Sequence, residues 1–550
     1  MKPATRGAAD AAGTNVRGGA SGSSWRFLLP SPRLGETVIV GRASARDLRV
    51  IVAAGGTGVV LRAPGLRSAL RALARRGHSA PIARDLTSVA DHEVETVVVL
   101  GDRGASAIGD PAIARAVEKA MATNAVAYVQ GTADASGSSL LRADAFPGLA
   151  RDRLRIGTTG GDLRWASPAA DAAAVDAARS LGSDRGGGVR GTAARVRRTV
   201  RMRLGLEADA AELFAREGPA GPPRYLRRVA AASGIAIEDR RWAMAIPGLY
   251  ASNKAVFLLF PDDDDRPDIV VKVARAPEQN PRLENEESSL RALEATIWGA
   301  GSAPRVVFSG AHEGIRILGE TAMQGEPFRR RTTAEPGCPY ASAVIRRLIE
   351  LGAETVKPAD GSALQIRLLE LFDRYRGLYR PDARVSTYLR RQIDLVGNAG
   401  LVSTVFQHGD PGAWNILATS DGSVGFLDWE AGDADGVPLW DLFYFLRSFG
   451  VTVGRASGVR GSLRAFERHY LERSDLARIQ ADAVTRSCAA TGVPRTLVEP
   501  LFHTCWMHRA VKQASRLPSW KLRRGHYHRL LSTGIDGRES PGLRLLFDGG

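Results

Sequence analysis

Apolar residues in the first part of the chain fall into short, nearly continuous runs separated by amphipathic stretches. Thr37–Gly41, Val50–Ala54, Thr96–Gly101 and Ala125–Val129 each have strand length, with almost no polar interruption. Such runs suit strands covered on both faces. Between them, Leu66–Arg76 puts Leu66, Leu70 and Leu73 on one helical face, and Pro111–Ala122 is likewise helical in pattern. Strand–helix alternation predicts a parallel α/β layer, so a Rossmann-like domain with its linker is expected over residues 25–188. Order is expected from Trp25 onward, because residues 1–24 are rich in Gly, Ala and Ser and read as a disordered leader.

Gly131–Gly191 carries Ser and Gly clusters and the run Arg185-Gly186-Gly187-Gly188, which reads as a linker with some helix. Residues 189–239 are expected to be connecting helices. In Arg195–Leu206, Val196, Val200 and Leu204 recur every four residues among five arginines. That short stripe is read as packing on a neighbouring domain, with contact to an anionic membrane surface as the lesser alternative.

The pattern changes after Arg240. Ala255–Phe260 and Ile269–Val273 are apolar strands, separated by Pro261–Pro267, whose four consecutive Asp mark an exposed hairpin loop. Lys272 lies inside the second strand, and a lysine in a buried strand needs a charged partner. The helix that follows, about Arg282 to Ala295, offers Glu284, Glu286 and Glu287.

Further on stands Gln407-His408-Gly409-Asp410-Pro411-Gly412-Ala413-Trp414-Asn415-Ile416-Leu417, then Val424-Gly425-Phe426-Leu427-Asp428-Trp429-Glu430. Phosphoryl transfer needs a carboxylate beside the attacking hydroxyl and oxygen ligands that hold a magnesium ion against the nucleotide phosphates. An Asp followed five residues later by an Asn supplies both from one tight loop. A second Asp, delivered by the strand Val424–Leu427 after the turn Ser420–Ser423, completes the metal set.

This block resembles the aminoglycoside phosphotransferase and choline kinase family, which has the protein-kinase fold. The family pattern is H-G-D with Asn at the fifth position after the Asp, then I-D-W-E; here Leu427 stands in place of the Ile. The resemblance implies ATP and Mg²⁺ as cofactors and a small-molecule hydroxyl as acceptor. It implies Asp410 as catalytic base, His408 as the residue shaping the catalytic loop, and Asn415 and Asp428 as metal ligands. Lys272 would contact the α- and β-phosphates, with Glu286, in the family register, as its partner. Asp441 matches an acid that is usually structural. Pro247–Lys254 sits where the family has its phosphate-covering loop but lacks G-x-G-x-x-G, which leaves Ser252 and Asn253 as the phosphate contacts. Ile317–Met323 is expected to link the lobes, its backbone at Glu320 and Ala322 hydrogen-bonding adenine. The implied architecture is an α+β bilobal kinase-like domain, with lobes at 240–323 and 324–535 and a tail at 536–550. The resemblance leaves the acceptor open among aminoglycosides, cholines, sugars, amino-sugar antibiotics and glycan intermediates.

The first domain is more distantly similar to class I methyltransferases. Those carry a Gly-rich turn after the first strand and an acid ending the second. Here Arg42-Ala43-Ser44 and Ala53-Ala54-Gly55 stand at those places, so a degenerate positioning module is expected.

Composition adds little. The 550 residues include 75 Lys plus Arg against 59 Asp plus Glu, a net charge of +16. Arg greatly outnumbers Lys, so the surplus is read as compositional bias rather than as the mark of an acidic partner. No nucleic-acid module is recognised, and no nucleic-acid partner is expected. Cys338, Cys488 and Cys505 show no metal-ligand spacing, and with neither a signal-peptide core nor an 18-residue apolar run a cytoplasmic setting is expected. The alternatives to catalysis are a non-catalytic nucleotide-binding scaffold and a charge-driven adaptor.

Overall fold

The computed structural model describes residues 24–41, 57–62, 82–83, 94–100, 108, 110–133, 146, 148–159, 162–182, 208–216, 221–246, 254–333, 335–515 and 517–549. It divides into two units, one of residues 1–283 and 307–322, the other of residues 284–306 and 323–550. The expected leader, the strand Val50–Ala54, the helices Leu66–Arg76 and Arg195–Leu206, and Ser252 and Asn253 lie outside the described residues.

The first unit is built on one 13-stranded sheet. Its strands are β1 (Glu36–Gly41), β2 (Thr57–Arg62), β3 (Ile82–Ala83), β4 (Val94–Leu100), β5 (Met121–Ala133), β6 (Ala150–Thr159), β7 (Asp162–Pro168), β8 (Ala208–Ala215), β9 (Arg241–Ala245), β10 (Lys254–Phe260), β11 (Ile269–Ala274), β12 (Val306–His312) and β13 (Ile315–Thr321). They run in the order β12-β13-β11-β10-β9-β7-β6-β8-β5-β4-β1-β2-β3. The apolar runs form the parallel part: β1 pairs with β2 and β4, and β4 with β5, all in parallel. Val97, Val98 and Val99 are fully buried, as a strand covered on both faces requires. The helix Pro111–Ala120 begins on the Asp110 side chain, which accepts from the Ala112 N–H at 2.9 Å. It ends where Met121 turns extended into β5.

Two expectations change here. Gly131–Gly191 is not a linker: it contains β6, β7 and the helix Ala172–Gly182. In β6, Leu154 and Ile156 point inward while Arg153 and Arg155 alternate with them. That is the period of a half-buried strand. The first domain is also not closed off before Arg240, because β7 pairs with β9 through Trp165↔Ala245 and Ala166↔Met244. One buried cluster therefore includes Trp25, Tyr128, Ile156, Leu213, Trp242, Phe257 and Val271. Trp25 stacks on Tyr128 with ring centroids 5.7 Å apart.

The Asp-rich loop joins antiparallel β10 and β11, as expected. Arg241 gathers it, donating to the carbonyl oxygens of Pro261 at 3.2 Å and Asp264 at 2.6 Å. Ile317–Thr321, expected within an inter-lobe linker, belongs to β13 and pairs with β11. Gly319 allows this, since a Cβ there would stand 2.4 Å from the Phe308 ring.

The second unit is mainly helical, with helices at Pro339–Thr355, Gly361–Tyr379, Ala383–Gly397, Trp440–Ala456, Asp475–Thr491, Val498–Ala514 and His526–Asp536. Asp360, Asp382 and Ser474 cap three of them by accepting from backbone N–H groups. Two small sheets complete it. One joins β14 (Glu326–Pro327), β17 (Ile416–Ala418) and β18 (Val424–Phe426); the other joins β15 (Lys357–Asp360), β16 (Leu401–Gln407) and β19 (Asp433–Gly436). The expected tail also holds a helix, Pro541–Asp548, which buries Leu543 and Leu546. No described helix is long and apolar enough to cross a membrane.

The shared sheet predicts that a chain beginning at Arg240 loses its fold. It would expose the ladder edge of β9 and half of the apolar cluster, and exposed flat edges promote aggregation. Size-exclusion chromatography and thermal unfolding should show aggregation or a lower, broader transition than the full chain; an unchanged transition would contradict the shared core.

Candidate active site

The catalytic block folds into a turn and a hairpin within the second unit. β16 ends at Gln407, and His408-Gly409-Asp410 turns sharply toward β17. The turn needs a left-handed residue at Gly409, with φ of 73°, and a Cβ there would stand 2.1 Å from the Ala431 carbonyl oxygen. β17 and β18 pair through Ile416↔Phe426 and Ala418↔Val424. Asp421 closes their turn, accepting from the Ser423 N–H at 3.0 Å. The Leu427 N–H donates to the Asn415 carbonyl at 2.8 Å, which ties the start of the next segment back to the loop. Asp428 follows in the left-handed region with φ of 69°, which Asp adopts more readily than most non-glycine residues.

His408 is fully buried, and both ring nitrogens meet backbone. Nδ1 accepts from the Asp410 N–H at 3.2 Å and Nε2 lies 3.0 Å from the Leu427 carbonyl oxygen. Only the tautomer with its proton on Nε2 satisfies both contacts. A ring so engaged holds the loop in shape, and it packs on Trp429 with centroids 4.3 Å apart. Asp441 lies beneath, its carboxylate accepting from the backbone N–H groups of His408 and Gly409. Burial raises the Asp441 carboxyl above its ordinary value.

Asp410 keeps 20% of its side-chain surface open. One carboxylate oxygen accepts from Arg509 at 2.6 Å, and Arg509 also donates to the Gly409 carbonyl at 2.8 Å, as Lys512 does at 3.1 Å. Burial alone would raise the Asp410 carboxyl, but the charges of Arg509 and Lys512 outweigh it and hold it below the usual value. Sequence reasoning missed both cations. They stand three residues apart on Val498–Ala514, a helix that is otherwise apolar around Leu501, Phe502, Trp506 and Val511. An arginine inside an apolar helical stretch needs a partner, and that was the readable signal.

The Asn415 amide nitrogen donates to the Asp410 carbonyl at 3.0 Å, which ties the asparagine to the turn. Asn415 and Asp428 stand at the two ends of one hairpin, and both side chains carry hard oxygen donors. Among the described residues no group of three or more His, Cys, Asp or Glu could cage a metal by itself. A two-residue oxygen set suits Mg²⁺, which keeps waters and takes phosphate oxygens as its remaining ligands.

Glu286 is fully buried, and its carboxylate accepts from the Trp429 N–H at 3.0 Å. Asn285 donates to the Glu430 and Gly432 carbonyls at 3.2 and 2.9 Å. The helix Asn280–Glu294 thereby positions the segment that follows Asp428. Glu287 instead pairs with Arg291 at 3.0 Å, and Glu284 is exposed. In the first unit Lys272 is buried on β11 and forms an ion pair with Glu320 on β13 at 2.7 Å. The Glu320 side chain therefore braces the lysine. The Ala322 N–H, expected to face adenine, donates to the Asp268 carbonyl at 2.8 Å.

Two outcomes follow from this geometry. Gly409→Ala should strain the turn and misplace Asp410, costing about 1–3 kcal/mol and most of any turnover; chemical denaturation with an ATP-consumption assay checks both. The depressed Asp410 carboxyl binds fewer protons folded than unfolded. Its contribution to stability is thus present above the ordinary carboxylate range and lost as pH falls through the folded value. A rate profile should accordingly show no inflection from Asp410 between about pH 5 and 7.

Comparisons with known proteins match part of the chain. Against solved structures, the chain is similar to the aminoglycoside phosphotransferase APH(3'')-Id from Streptomyces rimosus at 18% identity, covering 48% of this chain and 90% of that one with a TM-score of 0.31. A glucosamine kinase matches at 17% identity over 59% of this chain and 87% of that one, TM-score 0.34. An ethanolamine kinase from Plasmodium vivax matches at 13% over 55% and 83%, TM-score 0.33. No curated protein matches the sequence. Residues 248–481, which hold β10, β11, the catalytic turn and Asp428, match the model of the phosphotransferase enzyme family, APH.

Proposed function

We propose that the chain transfers the γ-phosphate of ATP to a hydroxyl group of a small molecule. The observation that carries this reading is the Asp410 turn. A partly open carboxylate, held ionised by Arg509, shares one loop with an asparagine that donates to its backbone carbonyl and a hairpin that leads to Asp428. Asp410 orients the acceptor hydroxyl and takes its proton as attack proceeds. Bound Mg²⁺ would neutralise phosphate charge, with Asn415 and Asp428 as its protein ligands. Lys272, braced by Glu320, contacts the nucleotide phosphates, as the family match over 248–481 supports. The non-catalytic alternatives find no support in the loop.

The N-terminal part of the sheet we read as a Rossmann-like layer serving to position its neighbour. What supports this is the run β5-β4-β1-β2-β3 in parallel, flanked by antiparallel β8. No methyl-transfer role is assigned to it.

Asp410→Asn should leave Mg-ATP binding in place and lower turnover by ~10²–10⁴, the usual worth of a positioned base. Asp428→Ala should differ in kind, abolishing magnesium dependence together with turnover. Nucleotide titration and initial rates at varied Mg²⁺ separate the two; full transfer by Asp410→Asn would sink the catalytic assignment.

A further inference from the structure

Resting on that phosphotransferase reading, we infer that the acceptor is anionic: a hydroxyl compound bearing a carboxylate or phosphate group, held at that group by Arg447.

The surroundings of Asp410 in the second unit are cationic. Arg509 lies over the Tyr444 ring at 3.4 Å and within 5.6 Å of the Tyr527 ring centroid. Arg447 lies 5.2 Å from the same Tyr527 centroid, so two guanidiniums share one ring. Tyr527 donates through its hydroxyl to that of Tyr444 at 3.1 Å. At the other end of this aromatic row, Trp414 of the catalytic loop packs on Tyr444 at 6.0 Å. Trp414 is 41% exposed, and Arg329 sits 5.4 Å from its centroid.

Arg509 has Asp410 as its counter-ion. Arg447 has none: it is 92% buried by its 8% exposure, and no carboxylate among the described residues lies within ion-pair reach of it. Its Nε is buried without an acceptor among the described residues, and one terminal nitrogen meets the His526 ring. A buried cation with no counter-charge is costly unless something completes it. His526 brings no charge, because burial and the nearby Arg447 and Arg529 push its pKa down to about 3. His508, beside Arg509, Lys512 and Arg374, is pushed to about 3 by burial and by the same kind of field. A cationic acceptor would enter this field at a Coulomb penalty. An anionic one gains charge-assisted hydrogen bonds from a preformed guanidinium. The apolar or planar body of the acceptor then rests on the exposed Trp414 ring, with its hydroxyl toward Asp410.

The step balances. The acceptor oxygen forms a bond to the γ-phosphorus of ATP, the bond from that phosphorus to the β,γ-bridging oxygen breaks, and ADP leaves with the electron pair. The hydroxyl proton passes to Asp410 and from there to solvent.

The test uses the full chain and γ-labelled ATP with a metabolite extract divided by ion exchange into cationic, neutral and anionic pools, with Asp410→Asn as blank. Transfer is expected to the anionic pool. For that pool, Arg447→Met should raise the apparent acceptor KM by about 10- to 100-fold while the ATP KM moves little. Arg447→Lys, which restores charge without the fork, should recover part of the loss, and a merely structural arginine would not give that KM split. Transfer from the cationic or neutral pool would overturn the anionic acceptor and leave the phosphotransferase reading standing. So would an unchanged acceptor KM in Arg447→Met. No transfer from any pool, with the γ-phosphate untouched, would overturn the phosphotransferase reading and this inference with it.

Discussion

Two carboxylates in the second unit define the loop around which its chemistry is arranged, and they do so by opposite means. Asp441 is buried and held by backbone: its oxygens accept from the N–H groups of His408 and Gly409, which fixes the path of the chain as it leaves β16. Asp410, two residues on, is ionised and held by Arg509. Without Asp441 the turn would have two inward N–H groups with no acceptor, a loss of about 1–3 kcal/mol for each buried group left unsatisfied. Without Arg509 the Asp410 carboxylate would bear the desolvation cost of its surroundings alone. His408 joins the two, because one nitrogen accepts from Asp410 and the other reaches the Leu427 carbonyl just before Asp428. The Asp410 backbone and the segment leading into Asp428 are thus referred to one imidazole ring.

The Arg509–Asp410 pair also sets a limit on mechanism. A tight ion pair keeps Asp410 charged, which lowers its basicity and makes it a weaker proton acceptor in the ground state. That suits a loose phosphoryl-transfer transition state, in which the hydroxyl needs orientation more than early deprotonation. The contact occupies one carboxylate oxygen of Asp410. Arg509 in turn is steadied by the Tyr444 face, so the geometry of the base is set by aromatic packing in the helical core.

What was legible in the sequence was what is local in the chain. His408, Asp410, Asn415 and Asp428 lie within one turn and one hairpin, so their spacing alone brought them together. Glu286 was singled out by its register in a helix as a partner for Lys272, and the bond it makes to the Trp429 N–H, across 143 residues, was not foreseen. Arg509 acts across 99 residues, from a helix whose apolar face gave no motif. The same limit explains the errors in the fold. β6 alternates arginine with leucine and isoleucine between Gly- and Ser-rich flanks, so composition outweighed its period of two. The strand character of Ile317–Thr321 was hidden by Gly319, whose small size is needed under Phe308.

The continuity of the sheet bears on why the first domain is present at all. In a free-standing lobe made of β9 to β13, β9 would be an edge strand whose inner residues Trp242, Ala243, Met244 and Ala245 are all apolar. Natural edges are kept short, charged or covered, because an apolar edge recruits other chains. Here β7 covers that edge, and Ser167 on β7 donates to the Trp242 carbonyl at 3.4 Å. The N-terminal layer therefore has a structural duty that needs neither a phosphate-binding turn nor a ribose-binding acid. That duty falls on Trp165 and Ala166 of β7 and on Trp242 to Ala245 of β9.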